Sequence, residues 1–131
     1  MRLINPGAGE VADRFTVVAL KILFGEAAGK DVGHFRNEQV VLLTKLNSRE
    51  VGPWLGQLVE LSAVNAALWH AEDDLRAYRP LDAIPATNTI EFYRAVVQLA
   101  FRIQELNDHR ARLVGEINKA AGDDTGREKL T

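Results

Sequence analysis

The feature that most constrains the fold is a pair of long apolar seams whose spacings alternate mainly between three and four residues. The first seam covers residues 54–75 and the second covers 92–120. This spacing puts the side chains on one face of a helix and predicts two long helices that pack through their seams. Polar residues interrupt both seams, Asn65 and Glu72 in the first and Arg110 in the second. Because polar groups facing a core need partners, the interruptions predict an internal polar cluster.

The remaining sequence predicts two shorter helices ahead of the seams. The first is expected over 10–28, and the second runs to residue 46 with Asp31 as its N-cap. Pro53 suits the first turn of the third helix, which is predicted to end near residue 78, and the fourth helix is predicted over 89–121. We therefore expect an all-α protein, an antiparallel four-helix bundle with two long C-terminal helices.

Length and composition restrict the class of protein. The 131 residues suit a single domain over 1–131, with a turn segment at 1–9 and a flexible tail at 122–131. The net charge of −2 disfavours a nucleic-acid partner, and the absence of cysteine excludes disulfides and thiolate chemistry. The apolar run 15–24 is too short to span a membrane. These features predict a cytoplasmic protein with no membrane association and no cofactor.

A helical wheel and an up-down topology place the inward polar residues at two levels. One level is predicted to join Asp13 with Arg110 and Asn107, with Thr16 close by. The other is predicted to pair Glu72 with Arg76, four residues apart on one helix. The remaining candidates lie between these levels or at their edges: Lys21, Trp69, Asp73 and Asp108.

Two interpretations of these residues stay open. Paired charges can fix the register of a bundle without any activity. Alternatively, one level lines a cleft for a small anionic or sugar ligand, because Arg110 and Asn107 offer directional donors that suit a carboxylate or a phosphate.

A magnesium-dependent hydrolase of nucleotides or phosphorylated sugars is the alternative function. It would use Glu10, Asp13, Glu72, Asp73 and Asp108. Paired carboxylates on bundle helices can hold Mg²⁺ over a phosphate, and the pattern superficially resembles the all-α nucleoside triphosphate pyrophosphohydrolases. The sequence lacks the repeated E-x-x-E that would accompany its E-x-x-D, and its three histidines lack metal-ligand spacing.

Three segments resemble a small bacterial family of unknown function whose members are often encoded near genes for lipopolysaccharide or other surface glycans. The segments are GEVADRFT at 9–16, LWHAEDDLR at 68–76, and NDHR at 107–110 followed by EIN at 116–118. They are similar to G-E-x-x-D-[KR]-x-T, L-W-x-x-E-D-x-x-R and N-D-x-R…I-N. Gln104 departs from the pattern, which has an aromatic residue there, and the region of Val114 and Gly115 lacks an expected lysine. The resemblance implies a helical protein with a glycan-related context and no established catalytic residue.

The sequence thus predicts a helical binding, scaffold or accessory protein without catalytic residues. It leaves enzymatic activity undecided. The length of the last two helices predicts a homodimer.

Overall fold

A computed structural model describes residues 6–78 and 89–123, and it confirms the all-α helical bundle. Within these two ranges the α-helices are α1 (Ala8–Ala27), α2 (Gly33–Asn47), α3 (Leu55–Arg76) and α4 (Thr89–Ala121). A short 3₁₀ turn, Gly52–Trp54, leads into α3 and contains Pro53. The predicted proline-containing loop between α3 and α4 lies outside the described residues, as do residues 1–5 of the predicted turn segment.

Local chemistry accounts for where the helices begin and end. Asp31 was predicted as the N-cap of α2, but Val32 occupies that position, and the Asp31 carboxylate, one residue before it, accepts a hydrogen bond from the Gly33 backbone N–H at 2.9 Å. Gly29 follows α1 with φ of 73°, and Gly122 follows α4 with φ of 79°. This left-handed conformation costs glycine little and is the common way for a helix to end.

The helices alternate in direction, and α1 lies at the centre. Tyr78 just past the end of α3 packs edge-on against Phe92 near the start of α4, with ring centroids 5.2 Å apart. Farther along this antiparallel pair, Glu60 meets His109 at 2.6 Å. The central helix α1 packs against α2, α3 and α4, whereas α2 packs mainly against α1. Consequently α2 and α4 lie on either side of α1.

The core forms where the two seams meet α1. Its fully buried side chains include Val11, Val18, Trp54, Leu61, Leu113 and Ile117. Two predicted seam positions were wrong, because Glu72 and Ala120 are exposed. Near the end of α4 the buried face has moved to Asn118 and Ala121. A straight α-helix drifts by about 20° per heptad from a strict seven-residue repeat, which accounts for the displacement at Ala120. Within the described residues, no helix is both long and apolar enough to cross a membrane.

Candidate functional site

The centre of the polar cluster is a bidentate ion pair between α1 and α4. Arg110 donates from Nε to Asp13 Oδ1 at 2.8 Å and from Nη2 to Asp13 Oδ2 at 2.6 Å. The Asp13 side chain is 17% exposed and that of Arg110 is 36% exposed, so the pair lies at the edge of the core rather than inside it. A planar guanidinium that matches both carboxylate oxygens fixes the distance and the rotation between the two helices.

Asn65 ties this ion pair to α3. Its side-chain amide donates to Asp13 Oδ1 at 2.9 Å and to Thr16 Oγ1 at 2.8 Å, while the Thr16 hydroxyl donates to the Asp13 backbone carbonyl at 2.8 Å. Asn65 and Thr16 are both buried, and the four side chains Asp13, Thr16, Asn65 and Arg110 constitute what we call the Asp13 cluster. Three helices therefore converge on one carboxylate.

The Asp13 cluster also affects the charge on its arginine. The hydrogen bonds to Asp13 raise the pKa of Arg110, with a further contribution from the negative charges of Asp13 and Glu72, while burial opposes the shift. Arg110 consequently stays charged at every physiological pH. Glu72 was predicted to lie at a separate level, yet its negative charge contributes to this shift.

A groove of about 750 Å³ opens between α1, α2 and α4, with Asp13 and Arg110 in its lining. A second bidentate pair joins α1 to α2 on the other side of the groove, where Arg14 donates to both oxygens of Glu38, at 2.6 and 2.8 Å. The hydrogen bonds from Arg14 lower the pKa of the Glu38 carboxyl. Apolar side chains separate the charged groups: Val11, Val17, Val41, Leu42 and Val114. The groove thus combines fixed ion pairs with an apolar lining.

A second polar network closes the start of α1 against the end of α4. The fully buried Asn118 accepts the Gly9 backbone N–H through Oδ1 at 2.7 Å. Its amide nitrogen donates to the two oxygens of Glu10 at 3.0 and 3.2 Å. Asp123 accepts the Ala8 N–H at 2.9 Å and pairs with Arg49 at 2.5 Å. Asp123, which was predicted to belong to the tail, therefore contacts the bundle, whereas 124–131 lie outside the described residues.

This network needs glycine because the two helices approach closely. A Cβ built on Gly9 would lie 2.3 Å from the Val114 carbonyl oxygen, and one on Gly7 would lie 2.3 Å from Asn118 Oδ1. Both distances are far below van der Waals contact. Gly9 belongs to α1, which starts two residues earlier than predicted, so the turn segment expected over 1–9 is shorter than the sequence indicated.

The second predicted polar level does not form. Glu72, Asp73 and Arg76 are all exposed, and Arg76 pairs with Asp73 at 2.5 Å rather than with Glu72. Because Arg76 pairs with Asp73, Glu72 does not form the predicted ion pair with Arg76. The seam spacing wrongly predicted that Glu72 faces the core. Because α1 and α2 do not enclose this turn of α3, the Glu72 carboxylate remains in water.

The remaining candidates lie apart from the Asp13 cluster. Lys21 lies with Nζ 5.2 Å from the centre of the Phe35 ring, a cation–π contact between α1 and α2. Trp69 stacks on Phe24 with ring centroids 5.2 Å apart. Asn107 is exposed and lines the groove, whereas Asp108 is exposed and is absent from the groove lining.

The carboxylates named for the hydrolase alternative are dispersed. Asp13 is bound to Arg110, Glu10 to Asn118 and Asp73 to Arg76. Over residues 6–78 and 89–123, no three His, Asp or Glu side chains are arranged to hold a metal ion. The described part of the chain therefore offers that alternative no metal-binding geometry.

Comparisons with known proteins bring no relative. No protein-family model matches the chain, and neither a curated protein nor a solved structure matches it significantly.

Asn65 was predicted to interrupt the first seam and Asn118 belongs to the third motif, but neither was assigned a partner from the sequence. The motif G-E-x-x-D contains a usable signal for Asn118. A glycine within the first turn of a helix indicates a close helix crossing, and an inward amide on another helix is a suitable acceptor for its N–H group.

Proposed function

We propose that the protein is a non-catalytic helical binding protein, and that the groove between α1, α2 and α4 receives a small organic anion. The observation that carries this proposal is the arrangement of Arg110. Two of its nitrogens hold Asp13, and the third, Nη1, donates to no acceptor among the described residues while the side chain lines the groove. A fixed arginine with an available N–H edge is a preorganised donor for a carboxylate or phosphate.

Two other groups on the groove offer further hydrogen-bond donors to an anion, the Lys45 ammonium and the neutral Asn107 amide. Both residues line the groove, both are exposed, and Lys45 has no ion-pair partner in the described ranges. The apolar side chains Val17 and Val41 would contact the body of the ligand. Pockets that combine apolar walls with a few placed polar groups are typical of small-molecule sites.

The proposal of a non-catalytic role rests on the acidic side chains. The acidic residues in the groove lining are Glu10, Asp13 and Glu38, and each one accepts hydrogen bonds from an amide or a guanidinium. General acid–base work needs a carboxyl group that can exchange a proton with a substrate. Carboxylates held in this way act instead as supports for the cationic side chains.

Isothermal titration calorimetry tests the proposal with sugar phosphates, nucleotides and simple organic carboxylates, each measured with and without Mg²⁺. We expect binding of at least one anion to the wild-type protein, unchanged by the metal. Asn107→Ala and Lys45→Ala should each weaken that binding by roughly tenfold, the effect of losing about 1.4 kcal/mol of contact energy. Asn37→Ala and Lys119→Ala change the same residue types on α2 and α4 outside the groove lining and are the matched controls.

Two results would contradict this function. One is the absence of a heat signal with every anion in the panel. The other is turnover of a nucleotide or sugar phosphate that depends on Mg²⁺, which would restore the hydrolase alternative.

We further propose a cytoplasmic role in surface-glycan synthesis, and only the family resemblance of the three motifs supports it. Deletion of the gene and complementation with the intact gene should change and then restore the amount or length of surface glycan. An unchanged glycan profile would contradict this context without affecting the proposed groove.

A further inference from the structure

The outer face of α4 carries a row of exposed apolar side chains in its N-terminal half. Ile90 is 73% exposed, Tyr93 52%, Val97 49% and Phe101 60%. Their spacings of three, four and four residues put them on one side of the helix, and we call them the outer stripe. Contiguous apolar surface of this kind on a helix marks an interaction site more often than chance exposure does.

The helices of the bundle leave the outer stripe uncovered. The half-buried residues Phe92, Val96, Leu99 and Ile103 lie on the opposite side of α4, the side that packs against α3. The polar contacts between α1 and α4 occur farther along, from Arg110 to Asp123. This half of α4 therefore has one face on α3 and the other facing outward.

We propose that the outer stripe binds a second copy of this chain, with the two α4 helices antiparallel about a twofold axis at Val97. The segment from Tyr93 to Phe101 is self-complementary about that point, whereas Ile90 would lie opposite Gln104. Val97 would meet Val97 of the second copy, and Tyr93 would meet Phe101, because each lies four residues from Val97. The two Tyr93–Phe101 contacts would be aromatic pairs, which stabilise helix contacts beyond their buried area. A twofold contact of one patch with itself is the commonest arrangement in homodimers.

Charges beside the stripe favour the same arrangement. Arg94 and Glu105 lie on one flank of the outer stripe, and neither has an ion-pair partner among residues 6–78 and 89–123. Antiparallel packing keeps that flank on the same side in both copies, so Arg94 of one copy lies toward Glu105 of the other. The opposite charges would then attract at both ends of the contact.

The size of this contact sets the expected affinity. One helix pair about four turns long lies at the lower end of specific interfaces, below about 1,200 Å² in total. We therefore expect a dimer that dissociates on dilution through the micromolar range. This inference is independent of the proposed anion site, which lies along the C-terminal half of α4.

Sedimentation equilibrium over a wide range of concentrations tests for the dimer. The wild-type protein should change from monomer to dimer, and Val97→Glu should remain monomeric at every concentration. Val40→Glu is the matched control, because Val40 is 64% exposed on α2 and lies outside the outer stripe. Far-UV circular dichroism of both variants is the check that each one is folded. A monomeric wild-type protein, or a dimer that persists in Val97→Glu, would overturn the proposal.

Cysteine crosslinking tests the register, since the chain contains no cysteine of its own. Val97→Cys should form a disulfide-linked dimer, whereas Val40→Cys should not. Tyr93→Cys and Phe101→Cys should crosslink to each other when the two variants are mixed and should crosslink poorly alone. A Tyr93→Cys variant that links efficiently to itself would overturn the antiparallel arrangement. Anion binding by Val97→Glu should be unchanged. A result that contradicts the proposed dimer can therefore be distinguished from one that contradicts the proposed anion site.

Discussion

Asn118 and Gly9 are 109 residues apart in the sequence, and they share a buried hydrogen bond of 2.7 Å between the last helix and the first. The same Asn118 side chain also holds Glu10, so one amide satisfies two groups in the first turn of α1. Gly7, the residue before α1, has no side chain that could cap the helix. The cap is therefore supplied by a side chain of a different helix.

Replacing Asn118 by alanine should destabilise the protein by about 2 kcal/mol, because the Gly9 N–H would be left buried without an acceptor. Asn107→Ala changes the same residue type on the same helix at an exposed position and should alter the free energy of unfolding by less than about 0.5 kcal/mol. Urea denaturation followed by circular dichroism measures both. Equal losses in the two variants would show that the cap does not contribute.

The close crossing of α1 and α4 predicts opposite effects for two Gly→Ala substitutions. Gly9→Ala should destabilise by about 2 kcal/mol or more, because its Cβ would collide with the Val114 backbone carbonyl. Gly115→Ala should stabilise by up to about 1 kcal/mol, because nothing lies within 4 Å of its Cβ and alanine favours the helix. Thermal unfolding of the two variants measures the difference, and a tolerated alanine at position 9 would contradict the crossing.

Removal of Arg110 should leave the Asp13 carboxylate with only Asn65 as a partner from another helix. We expect Arg110→Ala to destabilise by about 2 kcal/mol, less than a fully buried pair would lose, because a third of the arginine side chain is in contact with water. Arg112→Ala removes an exposed arginine two residues away and should cost less than about 0.5 kcal/mol. A double-mutant cycle with Asp13→Asn isolates the coupling. Additive losses in that cycle would argue against a direct interaction.

The Arg14–Glu38 pair predicts a specific dependence of stability on pH. Its hydrogen bonds lower the pKa of Glu38 in the folded protein. The carboxyl therefore binds its proton more readily in the unfolded chain, where its pKa is about 4.3. The stabilisation is complete above that pH and is lost as the pH falls through the lower folded-state pKa. The difference in unfolding free energy between wild type and Glu38→Gln should accordingly shrink below pH 4.3, as urea titrations from pH 3 to 7 would show. A difference in unfolding free energy that stays constant from pH 3 to 7 would contradict this prediction.

The helices could be predicted from the spacing of apolar residues and from a few residues at the helix ends. The end of α4 was predicted correctly, and so was the partnership of Asp13 with Arg110, since seam position and helix order together fix which levels meet. Asn65 as a third partner was missed, because a wheel gives the direction of a side chain but not the distance between helices. Glu72 was placed inward because periodicity carries no information about where a neighbouring helix ends.

The position of α1 has a consequence for synthesis of the chain. Its polar groups at Gly9 and Asp13 obtain their partners from Asn118 and Arg110, near the opposite end of the described chain. During translation the first helix leaves the ribosome long before the segment that completes it has been made. Until then the most central helix of the bundle lacks its cap and its ion pair, so the folded state depends on completion of the last helix.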